Sequence, residues 1–240
     1  MRCLDHHIFE PSHREGYERC VSCGSWHSTS LKKRELLYEN DYWSHDNGRS
    51  TLYEQVYNLT EKETNRLSKI ESVLWYAQNP GRLLEIGAAP GILIRTAKEM
   101  GHDVIGIEPD IKNVLGIKKV TGYDVKIEVG YFPDCIDSLY KPFDYIVAMD
   151  VLEHVEDYSS FIRSVYSLLR DGGRFIFMSP ILLEDQKLRD RDFKSDEHAW
   201  IFSVGFIRDF LQSVGFDILA ESRWIVGHEI IVAFKKHSNG

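Results

Sequence analysis

The stretch Arg82-Leu83-Leu84-Glu85-Ile86-Gly87-Ala88-Ala89-Pro90-Gly91 constrains the fold of this chain more than any other. Leu83, Leu84 and Ile86 make an apolar run too short for a helix and suited to a buried strand. Gly87 interrupts it where a residue without Cβ lets the backbone turn tightly. Pro90 suits the first turn of a helix, where a missing N–H is no loss, so a helix is expected over 90–100. Strand, glycine turn and helix N-terminus together make a backbone cradle for a negatively charged or carboxylate-bearing ligand.

An alternation of strands and helices follows. The strand at 82–86 and the helix at 90–100 lead to a strand at 103–108, which ends in Glu108. An acid about twenty residues past the glycine turn can accept both ribose hydroxyls of a nucleoside. A weaker strand is read at 125–129 and a buried one at 143–149. A helix at 158–169 comes next, then an Asp171-Gly172-Gly173 turn into a strand at 174–178. A helix at 203–214 precedes two strands, 216–223 and 228–235. These two are joined by too short a connection for a parallel crossover, so they must be antiparallel neighbours. Upstream, Leu59, Leu67, Ile70, Val73 and Leu74 give helical spacing within 50–78, closed by Asn79-Pro80-Gly81.

With 240 residues the chain has room for one sizeable α/β core and a small appendage. A net charge of −8 without a long basic run argues against nucleic acid as a partner. No apolar stretch is long enough to span a membrane, and the N-terminus lacks the apolar core of a signal peptide. Cytoplasmic residence is therefore expected.

Three of the four cysteines crowd the N-terminus, as Cys3-x-x-His6 and Cys20-x-x-Cys23-Gly24, with Cys135 apart. Two paired half-sites joined by a loop suit a tetrahedral, structural zinc ion held by Cys3, His6, Cys20 and Cys23. His7 can stand in for His6, and His27 lies close enough in sequence to compete. The expected organisation is a zinc-ribbon-like segment at 1–30, a helical, aromatic cap at 31–80, and a cofactor-binding domain at 81–240. A charged insertion at 180–202 lies within that domain and is expected to recognise substrate. In the cap, Tyr38 and Tyr42 offer hydroxyls that reach a cofactor carboxylate if the segment closes over it.

The Glu85-x-Gly87-x-x-x-Gly91 arrangement resembles motif I of the class I S-adenosylmethionine (SAM) methyltransferases, and Glu108 matches their motif II. Phe143-Asp144-x-Ile146 followed by Leu152-Glu153-His154-Val155, the Asp171-Gly172-Gly173 turn and the terminal strand pair also resemble that family. The resemblance runs over about residues 82–236 and implies a doubly wound, mostly parallel seven-stranded sheet with an antiparallel C-terminal strand. It also implies that Glu85 faces the SAM ammonium and that Gly87, Ala89 and Gly91 close on the cofactor. Glu108 and Pro109 would lie at the ribose, Tyr131 and Phe132 at the adenine, and Met149 and Asp150 at the end of the fourth strand of the domain. Cys20-x-x-Cys23-Gly24 followed by Tyr38-Glu39-x-Asp41-Tyr42-Trp43 resembles a bacterial branch of methyltransferases (types 11 and 23) that modifies sugars and other metabolites. That points to O- or C-methylation of a small-molecule, saccharide-like acceptor.

Methyl transfer from a sulfonium is an in-line displacement that needs alignment, exclusion of water and, for many acceptors, a base. His154 and His198 are the candidate bases, since imidazole titrates near neutrality. An alternative uses Asp150-x-x-Glu153-His154, with His198 as a distant fourth ligand, to hold a divalent cation such as magnesium that lowers the pKa of a bound hydroxyl. The ubiquinone-pathway O-methyltransferases and small-RNA 2′-O-methyltransferases carry a similar E-x-x-E-H arrangement, with Glu where Asp150 stands. Competing readings are an RNA or protein methyltransferase that uses the zinc segment for recognition, a NAD-dependent oxidoreductase, and a non-catalytic binding protein. The missing G-x-G-x-x-G argues against NAD, and the acids Glu85 and Glu108 argue against a degenerate pocket.

Overall fold

A computed structural model describes residues 7–32, 61–136, 142–183, 193–225 and 228–236. Its contacts divide the chain into two compact units: Met1–Lys32, Met149–Ser167 and Asp171–Gly240 in one, Lys33–Ala148 and Leu168–Arg170 in the other. The strands of the first unit that precede the glycine turn are β1 (Phe9–Pro11), β2 (Tyr17–Cys20) and β3 (Trp26–Ser28). Helix α1 (Glu61–Leu74) and a 3-10 turn at Trp75–Ala77 lead into the second unit's sheet. The helix expected within 50–78 thus occupies its C-terminal part, while 50–60 lie outside the described residues.

Four parallel strands build that sheet: β4 (Arg82–Ile86), β5 (Asp103–Glu108), β6 (Lys126–Val129) and β7 (Phe143–Met149). β4 lies between β5 and β7, and β6 pairs with β5. Leu83 and Leu84 are fully buried, as are Ile146 and Val147, which accounts for the adjacent apolar residues in β4 and β7. Helices α2 (Ile92–Glu99) and α3 (Ile111–Thr121) form the crossovers, and α2 buries Ile92, Leu93, Ile94 and Ala97. Asp110 caps α3 by accepting a hydrogen bond from the Lys112 N–H at 2.8 Å.

The helix expected from residue 90 begins instead at Ile92. Gly91 precedes it at φ 94°, a left-handed conformation that a helix interior does not admit. A Cβ on Gly91 would lie 2.9 Å from Ile117 Cγ2 and 3.3 Å from Thr121 Cγ2, both on α3. Gly91→Ala therefore meets both a forbidden φ and a packed helix, and should cost about 1–3 kcal/mol of stability in urea unfolding. An unchanged midpoint would mean that this turn relaxes freely.

Then follow α4 (Tyr158–Leu168), β8 (Leu169–Leu182), β9 (Trp200–Ser203), α5 (Val204–Val214), β10 (Phe216–Ile225) and β11 (His228–Lys235), all in the first unit except Leu168–Arg170. β11 is antiparallel to β10 and to β8, as the short final connection requires. β8 is longer than the expected 174–178. Its ladder with β11 runs from Arg174 to Pro180, and Gly172 at φ 73° marks where the expected turn survives as a kink. Beyond it, Ile181 and Leu182 pair in parallel with Phe202 and Ser203 of β9. The expected insertion 180–202 therefore begins and ends in strand, and 184–192 lie outside the described residues.

β1, β2 and β3 form an antiparallel ribbon, and β3 pairs antiparallel with β9 through Trp26 with Ile201 and His27 with Trp200. Beneath them Tyr17, Trp26 and Ile201 pack with Leu182 and Phe193. Among the described residues, no helix is long and apolar enough to cross a membrane.

Candidate functional site

The carboxyl ends of β4 and β5 meet at Glu108, the buried residue that closes β5. Gly87 leaves β4 at φ 78°, and the N–H groups of Gly87 and Ala88 both donate to the Ile107 carbonyl at 3.0 Å. Ala89, one residue further on, donates its N–H to Glu108 Oε2 at 3.2 Å. Asp110 N–H and Asn113 Nδ2 donate to the other oxygen, Oε1, at 3.2 and 3.0 Å. The glycine turn and the start of α3 are thereby tied to one carboxylate. Burial pushes the Glu108 carboxyl above the usual range for glutamate, while the Asn113, Asp110 and Ala89 donors pull it back down.

Other expected cofactor residues gather on the same sheet. Glu85 is 5% exposed on β4, so its carboxylate lies in the sheet's interior rather than on the surface. At the end of β6, Gly130 donates its N–H to the Glu108 carbonyl at 3.2 Å. That bond carries Tyr131, half-buried, and Phe132, buried, back towards Glu108. Pro109, half-buried, follows Glu108 directly. Parallel strands put all these residues at one edge of the sheet, the place where open α/β sheets bind ligands. An acid at each of two neighbouring strands and two left-handed glycines between them fit a cationic amine and a ribose diol. Asn113 is a residue the sequence reading missed, although its place three residues past the capping Asp110 aims it at the strand end.

Met149 ends β7, and Asp150 follows at φ 54°, the single positive φ outside glycine among the described residues. Asp150 N–H donates to the Met178 carbonyl at 2.9 Å, fixing this turn against β8. Aspartate tolerates that conformation better than most side chains, and such positions cluster at functional sites. The 3-10 turn Leu152–His154 comes next and brings Glu153, His154 and His198 together. One ligand atom from each lies within 4.8 Å of the others. The two imidazoles meet edge to face at 4.8 Å between ring centres.

Neighbouring groups set the chemistry of this trio. His154 Nδ1 lies 2.9 Å from the Glu197 carbonyl oxygen. A carbonyl only accepts, so Nδ1 carries the hydrogen and Nε2 keeps its lone pair. Burial holds the His154 imidazole below its ordinary pKa; the Glu197 carbonyl and the Glu197 and Asp150 charges oppose that, and Lys194 adds to it. Glu153, 2% exposed, accepts a hydrogen bond from Ser179 Oγ at 2.9 Å. His198 is held by its backbone, with its N–H donating to the Lys194 carbonyl at 2.7 Å and its carbonyl accepting from Tyr17 Oη at 3.3 Å. A neutral imidazole whose Nε2 keeps its lone pair can take a proton or bind a cation.

At the N-terminus, His7, Cys20 and Cys23 form a second trio with ligand atoms within 4.8 Å of one another. Cys3 and His6, which the sequence reading placed there, lie outside the described residues, as do Tyr38 and Tyr42. His27 is engaged elsewhere, its Nδ1 lying 3.0 Å from Glu18 Oε1. Cys135 is half-buried in the turn after β6 and is not a member of either trio.

A family model described as a methyltransferase domain matches residues 52–221. The ubiquinone biosynthesis O-methyltransferase of Methylobacterium sp. (strain 4-46) is 34% identical over 96 residues, covering 39% of this chain and 38% of its own length. The enzyme of that name from Caulobacter sp. (strain K31) is 30% identical over 133 residues, covering 53% and 48%. The chain thus matches less than half the length of these relatives. Among solved structures, magnesium protoporphyrin IX methyltransferase from Synechocystis PCC 6803 with bound SAM superposes with a TM-score of 0.61. It is 17% identical, and the match covers 87% of this chain and all of that one. Burkholderia thailandensis 1,6-didemethyltoxoflavin-N1-methyltransferase, bound to its acceptor and S-adenosylhomocysteine, gives 0.60 at 15% identity over 95% of this chain and 99% of its own.

Proposed function

Because the chain belongs to the SAM-dependent methyltransferases, whose domain model spans 52–221, we propose that it transfers a methyl group to a hydroxyl oxygen of a small organic molecule. The observation that carries the choice of acceptor atom is the trio of buried Glu153 and His198 with half-buried His154. An oxygen nucleophile must lose a proton as it is methylated, and this group offers somewhere for that proton to go. The names of the curated relatives also favour oxygen over the carbon acceptor that the sequence left open. They lend nothing to a saccharide, and an acceptor of the class handled in ubiquinone biosynthesis is the better starting point.

Bound here, SAM would supply a methyl group activated on its sulfonium, with the neutral thioether S-adenosylhomocysteine as the leaving group. Glu85 offers its carboxylate to the cofactor's ammonium, and Glu108 offers two acceptor oxygens to the ribose diol. Gly87, Ala89 and Gly91 keep the backbone low enough for that approach, with Tyr131 and Phe132 as the apolar wall for adenine. His154 Nε2 takes the acceptor's proton while its Nδ1–H stays on the Glu197 carbonyl. His198 orients the acceptor or shares that proton.

A second reading is favoured by the same trio, with Glu153, His154 and His198 as ligands of a divalent cation. His154 already gives its other nitrogen to a backbone carbonyl and Glu153 already accepts from Ser179, which are the supports that metal ligands usually have. One carboxylate and two imidazoles suit a transition ion better than the all-oxygen preference of magnesium. Such a cation would lower the pKa of a bound acceptor hydroxyl.

Isothermal titration tests the cofactor: S-adenosylhomocysteine should bind one to one and NADH should not. A panel of hydroxylated aromatic and saccharide acceptors, with and without chelator, then tests the acceptor and the cation. Absence of S-adenosylhomocysteine binding by folded protein would sink the proposal. Turnover indifferent to chelation would leave the histidines as base alone.

A further inference from the structure

We propose that Cys20, Cys23 and Nδ1 of His7 hold a zinc ion, and that this ion orders the segment from Ser195 to Ser203 on which His198 lies. The inference stands apart from methyl transfer, because it rests on the N-terminal ribbon and on β9. His7 Nδ1 lies 3.6 Å from Cys23 Sγ. A tetrahedral zinc with Zn–S of about 2.3 Å and Zn–N of about 2.05 Å separates its two donor atoms by about 3.6 Å. Cys20, at the end of β2, and Cys23, in the turn before β3, fall into this grouping through the hairpin. His7 reaches it from the residues before β1. The choice between His6 and His7, open in the sequence, goes to His7.

The surroundings fit a ligand role for this imidazole. His7 Nε2 lies 3.0 Å from Tyr158 Oη, so the ring can give that hydrogen to the hydroxyl and turn its Nδ1 lone pair towards the cysteines. Phe9 stacks on one side, and Trp200 and Phe206 close around it at 5.1 and 4.9 Å between ring centres. These contacts fix the ring's plane as well as its place. Two thiolates and an imidazole are a zinc donor set, and the remaining tetrahedral position falls to a ligand outside the trio.

From the metal trio a chain of bonds runs to the His198 segment. The Cys23 thiol donates to Ser25 Oγ at 3.4 Å, and Ser25 Oγ accepts from the Ser203 N–H at 3.0 Å. Trp26 and His27 pair with Ile201 and Trp200, Ser28 N–H donates to the Ala199 carbonyl at 2.9 Å, and Ser28 Oγ donates to the Ser195 carbonyl. Tyr17 Oη donates to the carbonyl of His198 itself. Three short strands of three or four residues have little core of their own, so cross-linking their turn by metal is what keeps β3 in register for β9.

The test uses the full chain purified without chelator. Elemental analysis should find one zinc per chain in the wild type and in His6→Gln, and much less in Cys23→Ser and His7→Gln. Hydrogen exchange read by mass spectrometry should show the amides of Trp200–Ser203 exchanging at least about tenfold faster once zinc is stripped. If the variants fail to fold, stripped wild-type protein reloaded with cobalt decides, since thiolate ligation gives a strong near-ultraviolet charge-transfer band. Folded protein that carries no zinc and shows no such band overturns the site. Zinc retained by His7→Gln but lost from His6→Gln overturns the ligand assignment. Unchanged exchange at Trp200–Ser203 after stripping overturns the ordering role.

Discussion

Exchange of His154 for asparagine should lower kcat by about 10²–10⁴-fold, the range that a positioned acid–base group supplies. The asparagine amide nitrogen takes the place of Nδ1 and can still donate to the Glu197 carbonyl, so the turn keeps its shape while Nε2 is lost. Binding of S-adenosylhomocysteine should persist in the variant and separates lost chemistry from lost structure. The pH dependence follows from burial. Because the folded imidazole sits below its ordinary value of 6.5, the active neutral form persists to lower pH than a free histidine would allow. The acid limb of kcat/KM should therefore fall below pH 6.5 in the wild type and disappear in the variant. Stability carries the same sign. Between the folded pKa and 6.5 the unfolded chain binds the extra proton, so this group's contribution is full above 6.5 and declines as the pH falls through that window. An acid limb at or above 6.5, unchanged in the variant, would assign the proton to another residue.

Glu108→Ala should weaken S-adenosylhomocysteine binding on the order of a hundredfold, roughly two charge-assisted hydrogen bonds at about 1.5 kcal/mol each. Part of that loss is indirect. Without the carboxylate, Ala89, Asp110 and Asn113 lose their shared acceptor, and the glycine turn is no longer tied to α3. Glu108→Gln keeps one acceptor oxygen and should fall between the two. Calorimetric titration, with circular dichroism as the control for folding, reads both effects. Equal affinities in all three proteins would remove Glu108 from the ribose.

Much of the fold is legible in the sequence because the second unit's strands are buried on both faces. Arg82–Ile86, Asp103–Glu108 and Phe143–Met149 are mainly apolar segments, broken between their ends only by Glu85 and Asp144, and their limits could be read residue by residue. The edge strand Lys126–Val129 was weaker in sequence because its residues are half-buried or exposed. The Asp171-Gly172-Gly173 signal misled about the start of β8. Turn chemistry indicates where a backbone can bend, yet β8 runs through that bend from Leu169, and pairing with β9 at Ile181 and Leu182 carries its other end past Met178.

Local order alone determined the cradle: the acid of β4, the two glycines, and the second acid at the end of β5 follow from spacing on consecutive elements. What only the tertiary structure decided is every grouping made from distant parts of the chain. Ser179 on Glu153, Glu197 on His154, His198 beside both, and His7 rather than His27 beside the cysteines are partners separated by tens of residues or more, or by competing neighbours of the same type. A sequence lists which side chains can ligate or titrate. The register of β3 on β9 and of β8 on β11 selects which of them face one another, because a shift of one residue turns each side chain to the opposite face.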